Sequence, residues 1–279
     1  MKIKIVTDST ADLPPGLAEE LGITVVPVYV KFGGEVYRDR VDISEDEFYQ
    51  RLISDPAHPS TEPPTPRDFA SVYEKLSQDA DGIISIHISS KISATCNSAQ
   101  RGKELVETEC PIEVVDSKLV TMGLGMLVMA ANSITKSGKD LPQVTEEVKR
   151  IIPGIRLLGL LDTLKYLARG GRIGKTRALL GSILAVKPML TMKDGELESA
   201  GQVRKRADGI ERLVDFVKKT TGIEDLSIVY STTPDEAQTL AERMDSIFSK
   251  EKIRLVRLGP ALGAHAGPGI IFVALRVKA

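Results

Sequence analysis

Tryptophan is absent from the 279-residue chain, and phenylalanine and tyrosine together make up only 4% of it. A surface that stacks successive bases of single-stranded nucleic acid needs aromatic platforms, and this composition supplies little material for one. Excess charge is missing too: 37 basic residues against 38 acidic ones leave a net −1. Such a balance excludes a protein built wholly for nucleic acid or for an anionic membrane surface. The two cysteines, Cys96 and Cys110, show neither CxxC spacing nor a disulfide framework, which fits a reducing, cytoplasmic compartment. Three scattered histidines, His58, His87 and His265, do not combine with them into metal-ligand spacing, so no metal site is expected.

Long apolar runs are lacking as well. The N-terminal MKIKIVTDST turns polar after a few residues and does not read as a signal peptide. Leu119–Ala131 is too short to span a bilayer. The charge-free Leu258–Leu275 is broken by Gly259, Pro260, Pro268 and further glycines. The expectation is a soluble chain long enough for two modest domains.

Alternating strand and helix patterns run through the first half. Lys2–Val6 reads as a buried strand, Pro14–Leu21 as a short helix and Ile23–Val30 as a strand, followed by a hairpin around Gly33-Gly34. Ser44-Glu45-Asp46-Glu47 opens a helix over Glu45–Ser54 with a capping box. A proline-stiffened loop, His58–Pro66, can hold Thr61 in a fixed position or merely connect two elements. It ends at Thr65-Pro66, N-cap and N1 of a helix to Gln78. Strands at Gly82–Ile88 and Ile112–Asp116 and a long apolar helix, Leu119–Ser137, complete an α/β unit with a largely parallel sheet. The helix carries Met122, Met126 and Met129 on one face, as core or as an adaptable wall for an apolar ligand.

From residue 155 the pattern changes to a strand (Ile155–Leu161), a short helix (Asp162–Ala168) and a hairpin around Asp194-Gly195. Helices at Arg206–Thr221 and Pro234–Lys250 alternate with strands at Leu226–Ser231, Ile253–Leu258 and Gly269–Val277. That order predicts an α+β domain with a mixed sheet and helices on one face. The boundary is set at Pro153-Gly154, giving domains 1–153 and 154–279.

Four segments carry chemistry. Thr7–Pro14, TDSTADLP, follows the first strand, at the edge where open α/β sheets bind ligands; Asp8 can orient hydroxyls there or cap a turn. The turn Ile88–Thr95, ISSKISAT, joins a strand to a helix N-terminus, whose unpartnered N–H groups suit phosphate or carboxylate. Ser89, Ser90, Ser93 and Thr95 add neutral donors, although Ser93 or Thr95 serves equally as a plain cap. Between Lys165 and Lys193 lie seven basic residues, Arg169, Arg172 and Arg177 among them, and no acidic one. That stretch is a field for an acidic partner or a solvated face. Within it, Gly174-Lys175-Thr176 fails as a P-loop, because Arg169 stands where the motif requires glycine. Lastly, His265 sits among glycines and prolines, Gly259 to Gly269, in a segment suited to presenting one imidazole at a fixed place.

Taken together, TDSTADLP, TEPPTP (Thr61–Pro66), ISSKISAT, LDTLKYLARGGRIG (Leu161–Gly174) and GAHAGPG (Gly263–Gly269) resemble, in order, the motifs of the DegV family along its whole length. Those are bacterial fatty-acid-binding proteins, the acyl-carrying subunits of fatty acid kinase. The resemblance implies a two-domain architecture with an acyl tunnel between the domains. It implies no cofactor, a palmitate-, stearate- or oleate-type ligand, and a carboxylate held by Thr61, Ser93 and His265. Asp8, Ser9, Ala94 and Thr95 would supply the supporting loops. Arg169, with Arg172, would dock a separate ATP-binding kinase subunit that makes acyl phosphate for phospholipid synthesis, so that this chain performs no chemistry. Two departures stand out: Glu62-Pro63 replaces Ser-Gln, and Ala94 replaces glycine. Glu62 is expected to face outward, away from a buried carboxylate. The competing readings are a lipid or ester hydrolase with Ser93 and His265 as nucleophile and base, and a ligand-sensing module whose basic segment binds another partner.

Overall fold

The computed structural model describes residues 1–176 and 186–278. Its first half runs β1 (Ile3–Asp8), α1 (Leu17–Glu20), β2 (Ile23–Val26), β3 (Tyr29–Phe32), β4 (Glu35–Arg38), α2 (Glu45–Ser54), β5 (Ser60–Glu62) and α3 (Pro66–Ser77). It continues with β6 (Gly82–His87), α4 (Thr95–Glu104), β7 (Ile112–Asp116), α5 (Thr121–Thr135) and α6 (Leu141–Ile151). Four strands form a wholly parallel sheet in the order β2-β1-β6-β7. The central strands β1 and β6 are buried almost throughout, as helix crossovers covering both faces of a parallel sheet require.

The expected strand Ile23–Val30 is in fact two. Pro27 has no N–H to give a ladder and holds φ near one value. The chain therefore leaves the parallel sheet after Val26 and starts an antiparallel one, β4-β3-β5, with Gly33-Gly34 as its two-residue turn. Part of the proline-stiffened loop belongs to that small sheet. β5 pairs with β3, setting Thr61 opposite Val30, and prolines on either side keep it to three residues. Gly16, at a positive φ, delays α1 to Leu17, three residues later than expected.

The second half runs β8 (Ile155–Leu160), α7 (Lys165–Arg169), β9 (Lys187–Lys193), β10 (Glu196–Val203), α8 (Arg206–Lys218), β11 (Ile223–Tyr230) and α9 (Pro234–Met244). Then come β12 (Arg254–Arg257), α10 (Pro260–Ala266) and β13 (Ile271–Val277). Six strands make a mixed sheet, β10-β9-β8-β13-β11-β12, in which only the β11–β12 pair is parallel. Side chains alternate along β13. Ile271, Val273 and Leu275 pack with α8 and α9, while Phe272 and Ala274 join a core shared with the parallel sheet. That shared core continues through Met122 and Met126 of α5 to Ile86 and Ile5. Among the described residues, no helix is long and apolar enough to cross a membrane.

The glycine-rich segment around His265, to which the sequence assigned no element, folds as the helix α10, with Pro260 at its start and His265 in its last turn. Proline at N1 is preorganised for a helix, and the following Ala-Leu-Gly-Ala-His-Ala contains enough good helix formers to tolerate one glycine. Helix α7 likewise begins at Lys165, three residues after the expected Asp162. The expected basic residue Arg177 lies outside the described residues.

Helix α4 packs against α3 through Gly102, where an added Cβ would stand 2.6 Å from Phe69 Cβ and 2.8 Å from the Pro66 carbonyl. Backbone cannot yield cheaply at such a contact. Gly102→Ala should therefore lower the free energy of unfolding by about 1–3 kcal/mol despite alanine's better helix propensity, and a denaturant titration against wild type reads it directly.

Candidate functional site

The site is built from the carboxyl ends of β1 and β6. Asp8 closes β1 and is fully buried. Its Oδ1 accepts from the backbone N–H of Thr10 (3.1 Å) and from the Thr10 hydroxyl, while Oδ2 accepts from the Ile88 N–H (3.1 Å) and meets His87 Nδ1 at 2.9 Å. Asp8 thus caps its own turn and orients the entry to the Ser-rich turn at once. Ser9 accepts from the Val28 N–H (3.0 Å) and donates to Asp39 Oδ2 (2.7 Å).

Of the hydroxyls in ISSKISAT, two are committed elsewhere. Ser89 donates to the Gly195 carbonyl at 2.6 Å, and Ser90 donates to Asp116 at 2.5 Å. Ser93 accepts from the Thr95 N–H at 3.3 Å and lies 2.9 Å from the Thr95 hydroxyl, so it supports the first turn of α4. It also lines a cavity.

That cavity, with an empty volume of about 730 Å³, falls in the range of ligand pockets. Its wall gathers Thr61, Ser93 and His265, together with Thr10, Thr121 and Arg172, among fourteen apolar residues from both halves of the chain. Thr61 Oγ1 and His265 Nε2 are 2.7 Å apart. The GGRI segment explains how that imidazole is seated: a Cβ on Gly170 would lie 2.0 Å from His265 Nδ1, and one on Gly267 2.2 Å from the Tyr166 ring. Only bare backbone lets α7 and α10 close on each other there. Burial, reinforced by the positive Arg172 and by His58, pushes the His265 imidazole down to about 4. The ring is neutral at neutral pH, and its buried Nδ1 has no partner among the described residues.

The supporting-loop candidates and the methionines fall outside the wall. Asp8, Ser9, Ala94 and Thr95 stand behind it or beside it. The methionine stripe is core, with Met122 and Met126 fully buried and none of the three on the cavity wall. Glu62 faces solvent as expected, paired with Lys31 at 2.6 Å. In the basic run, Lys175 pairs with Glu196 (2.6 Å) and Glu198 (3.1 Å), and Lys187 with Asp162 (2.8 Å). Arg172 donates from Nη1 to the Gly170 carbonyl (2.8 Å) and lines the cavity. Arg169 is exposed at the end of α7. Gly174-Lys175-Thr176 follows a helix rather than a strand, and Thr176 bonds back to Ile173, so no phosphate loop forms.

Two buried networks escaped the sequence reading. His87, at the end of β6, lies between Asp8 and Ser85 Oγ (2.6 Å), and Tyr73 donates to that same Oγ at 2.7 Å. The order Asp-His-Ser imitates a catalytic triad, but all three side chains are fully enclosed. The available signal was the i, i+2 spacing of Ser85 and His87 on one face of an otherwise apolar strand. The second network ties α10 to the first loop. Asp12 Oδ2 accepts from the Thr121 hydroxyl (2.6 Å), and Oδ1 accepts from the Gly259 N–H (2.9 Å) beside Arg40 (3.2 Å). Arg40 also donates to the Leu13 and Arg257 carbonyls. Burial pushes Asp12 up to about 6 and neighbouring Asp39 up to about 7, with Arg40 opposing both shifts.

A carboxyl held above its unfolded pKa binds more protons when folded, so its contribution to stability declines as pH rises between the two values. For Asp12 and Asp39 that window runs from about pH 4 to about pH 7. Asp39→Asn removes one of the two titrations and should flatten the decline in urea midpoint across that window. A variant with the wild-type slope would show that Asp39 is not the group titrating.

Comparison with known proteins places the whole chain. A family model described as an uncharacterised protein of the DegV family matches residues 2–278. A DegV domain-containing protein of Caldanaerobacter subterraneus subsp. tengcongensis is 37% identical over 281 residues, spanning 97% of this chain and 98% of the relative. Among solved structures, a DegV family protein from Thermus thermophilus, described by its fatty acid binding, is similar with a TM-score of 0.90 and 34% identity over the full length of both chains. A stearic-acid-binding protein from Eubacterium ventriosum matches with a TM-score of 0.86 and 29% identity over 98% of each chain.

Proposed function

The chain belongs to the DegV family, and from that premise we propose that its cavity holds a long-chain fatty acid of palmitate, stearate or oleate type. The observation that carries this reading is the composition of one wall: fourteen apolar residues with Thr61, Ser93 and His265 brought together among them. Burial of a methylene is worth about 0.8 kcal/mol, so a tail of roughly fifteen methylenes supplies on the order of 12 kcal/mol before entropic costs. The tail sets affinity and the polar cluster sets orientation.

In this reading Thr61 and Ser93 donate their hydroxyls to the carboxylate. A neutral His265 that donates from Nε2–H to Thr61 Oγ1 leaves the threonine proton free for the ligand, and it leaves Nδ1 as an acceptor lone pair rather than a stranded buried donor. Donors are indispensable, because an unpaired carboxylate in an apolar cavity is strongly disfavoured. Arg172 has Nη1 committed to Gly170, which disfavours a two-pronged clamp on both carboxylate oxygens. One oxygen is then free to attack a phosphoryl group.

The chain itself is a carrier in this proposal. It consists of domains 1–153 and 154–279 and presents the bound acid to a separate ATP-binding kinase subunit that makes acyl phosphate, with exposed Arg169 as the docking cation. A hydrolase would need Ser93 bonded to a base, whereas its hydroxyl partner is Thr95. Organic extraction of the purified protein should release long acyl chains detectable by mass spectrometry. A protein that is empty and also fails to bind added palmitate or oleate refutes the carrier reading. Ser93→Ala or Thr61→Ala should weaken fatty acid binding about tenfold or more, the loss of one hydrogen bond to a charged group. Arg169→Ala should leave binding intact and slow acyl-phosphate formation when an ATP-binding kinase subunit is supplied; an unchanged rate removes Arg169 from docking.

A further inference from the structure

We propose that Phe272, seated in the notch left by Gly159, is the gauge of acyl chain length in this cavity, an inference that rests on the carrier reading above. Register places Leu190 of β9, Gly159 of β8, Phe272 of β13 and Val229 of β11 in one row across the mixed sheet. Directly paired residues share a face. Leu190, Phe272 and Val229 all belong to the core on the cavity side, and Leu190 and Phe272 line the cavity itself.

Glycine in the middle of a strand normally weakens it, and here the reason for its presence is geometric. A Cβ on Gly159 would lie 2.0 Å from Phe272 Cε1, 2.1 Å from Cδ1 and 2.8 Å from Cζ. The phenyl ring therefore lies flat across the glycine, in the place a side chain at position 159 would occupy. Covering a glycine with a cross-strand aromatic is a known way to restore packing to a sheet. This ring also forms part of the cavity wall, and it is the one phenyl group among the lining residues described.

The pair has a defined direction of adjustment. β13 is buried along Ile271–Leu275 and hydrogen-bonded on both sides, to β8 and β11, so its backbone cannot move to relieve a clash. A side chain at position 159 must lift the ring off the sheet and into the cavity. Removing the ring deepens the cavity by the same space. The two positions act in opposite senses on one boundary, which a merely structural aromatic–glycine contact would not do to ligand preference.

The test is a displacement titration with straight-chain saturated acids of about twelve to twenty carbons, alongside mass spectrometry of the chains that co-purify. Phe272→Ala should move the optimum to longer acids, each additional methylene that enters the vacated space tightening binding about fourfold. Phe272→Leu, which keeps the core better filled, should shift it less and in the same direction. Gly159→Ala should move the optimum to shorter acids; where that variant does not fold, the two Phe272 variants decide. A wild type with a defined optimum that both Phe272 variants reproduce overturns the gauge alone. A wild type that binds no acid of any length sinks the carrier reading and the gauge with it.

Discussion

Thr61 and His265 are 204 positions apart and meet at 2.7 Å, and most of what is unusual in the chain serves that meeting. Thr61 is delivered by a three-residue strand that exists because Pro27 turned the chain out of the parallel sheet and gave β5 an edge to join. His265 is delivered by a seven-residue helix, too short to hold itself. Its start is pinned where Asp12 accepts from the Gly259 N–H, and its end is packed against the bare backbone of Gly170. Disturbing any of these supports moves one partner of the pair.

Electrostatics divides the region into a neutral interior and a charged exterior. Burial holds His265 uncharged, and the lining donors are otherwise hydroxyls apart from Arg172, whose Nη1 is occupied by the Gly170 carbonyl. The acidic groups behind the wall are sealed: Asp8 by four donors, and Asp12 and Asp39 by burial that favours their protonated forms. Outside, several cations of the basic run are neutralised by neighbouring carboxylates, whereas Arg169 stands exposed. An arrangement of this kind lets a single buried carboxylate be held by hydrogen bonds rather than by a competing ion pair.

Local pattern was enough for much of the architecture. The apolar stretches of β1, β6 and β7, the Thr65-Pro66 start of α3 and the apolar α5 are all written within short windows, because hydrophobic period and caps act over a few residues. Where a single residue overrode its neighbours, that legibility failed. Pro27 split an apparently continuous strand, and Pro260 started a helix in a glycine-rich segment to which no element had been assigned. His87 carried little local signal, since its partner Asp8 lies 79 positions earlier in the chain, at the end of β1. Arg172, read as a surface cation, proved to line the cavity because the GGRI turn folds inward onto α10.

The sequence by itself determined the identity of the hydroxyl, imidazole and glycine residues, the order of the five motifs, and hence the family. Only the tertiary structure decided which of those groups share a wall, which protonation state His265 holds, and that Gly159 exists to accommodate Phe272. The physical reason is range. Propensity and capping are settled by neighbours within a turn or two, whereas desolvation, cross-strand register and the space left between two sheets depend on residues that approach each other only after the chain has closed its core.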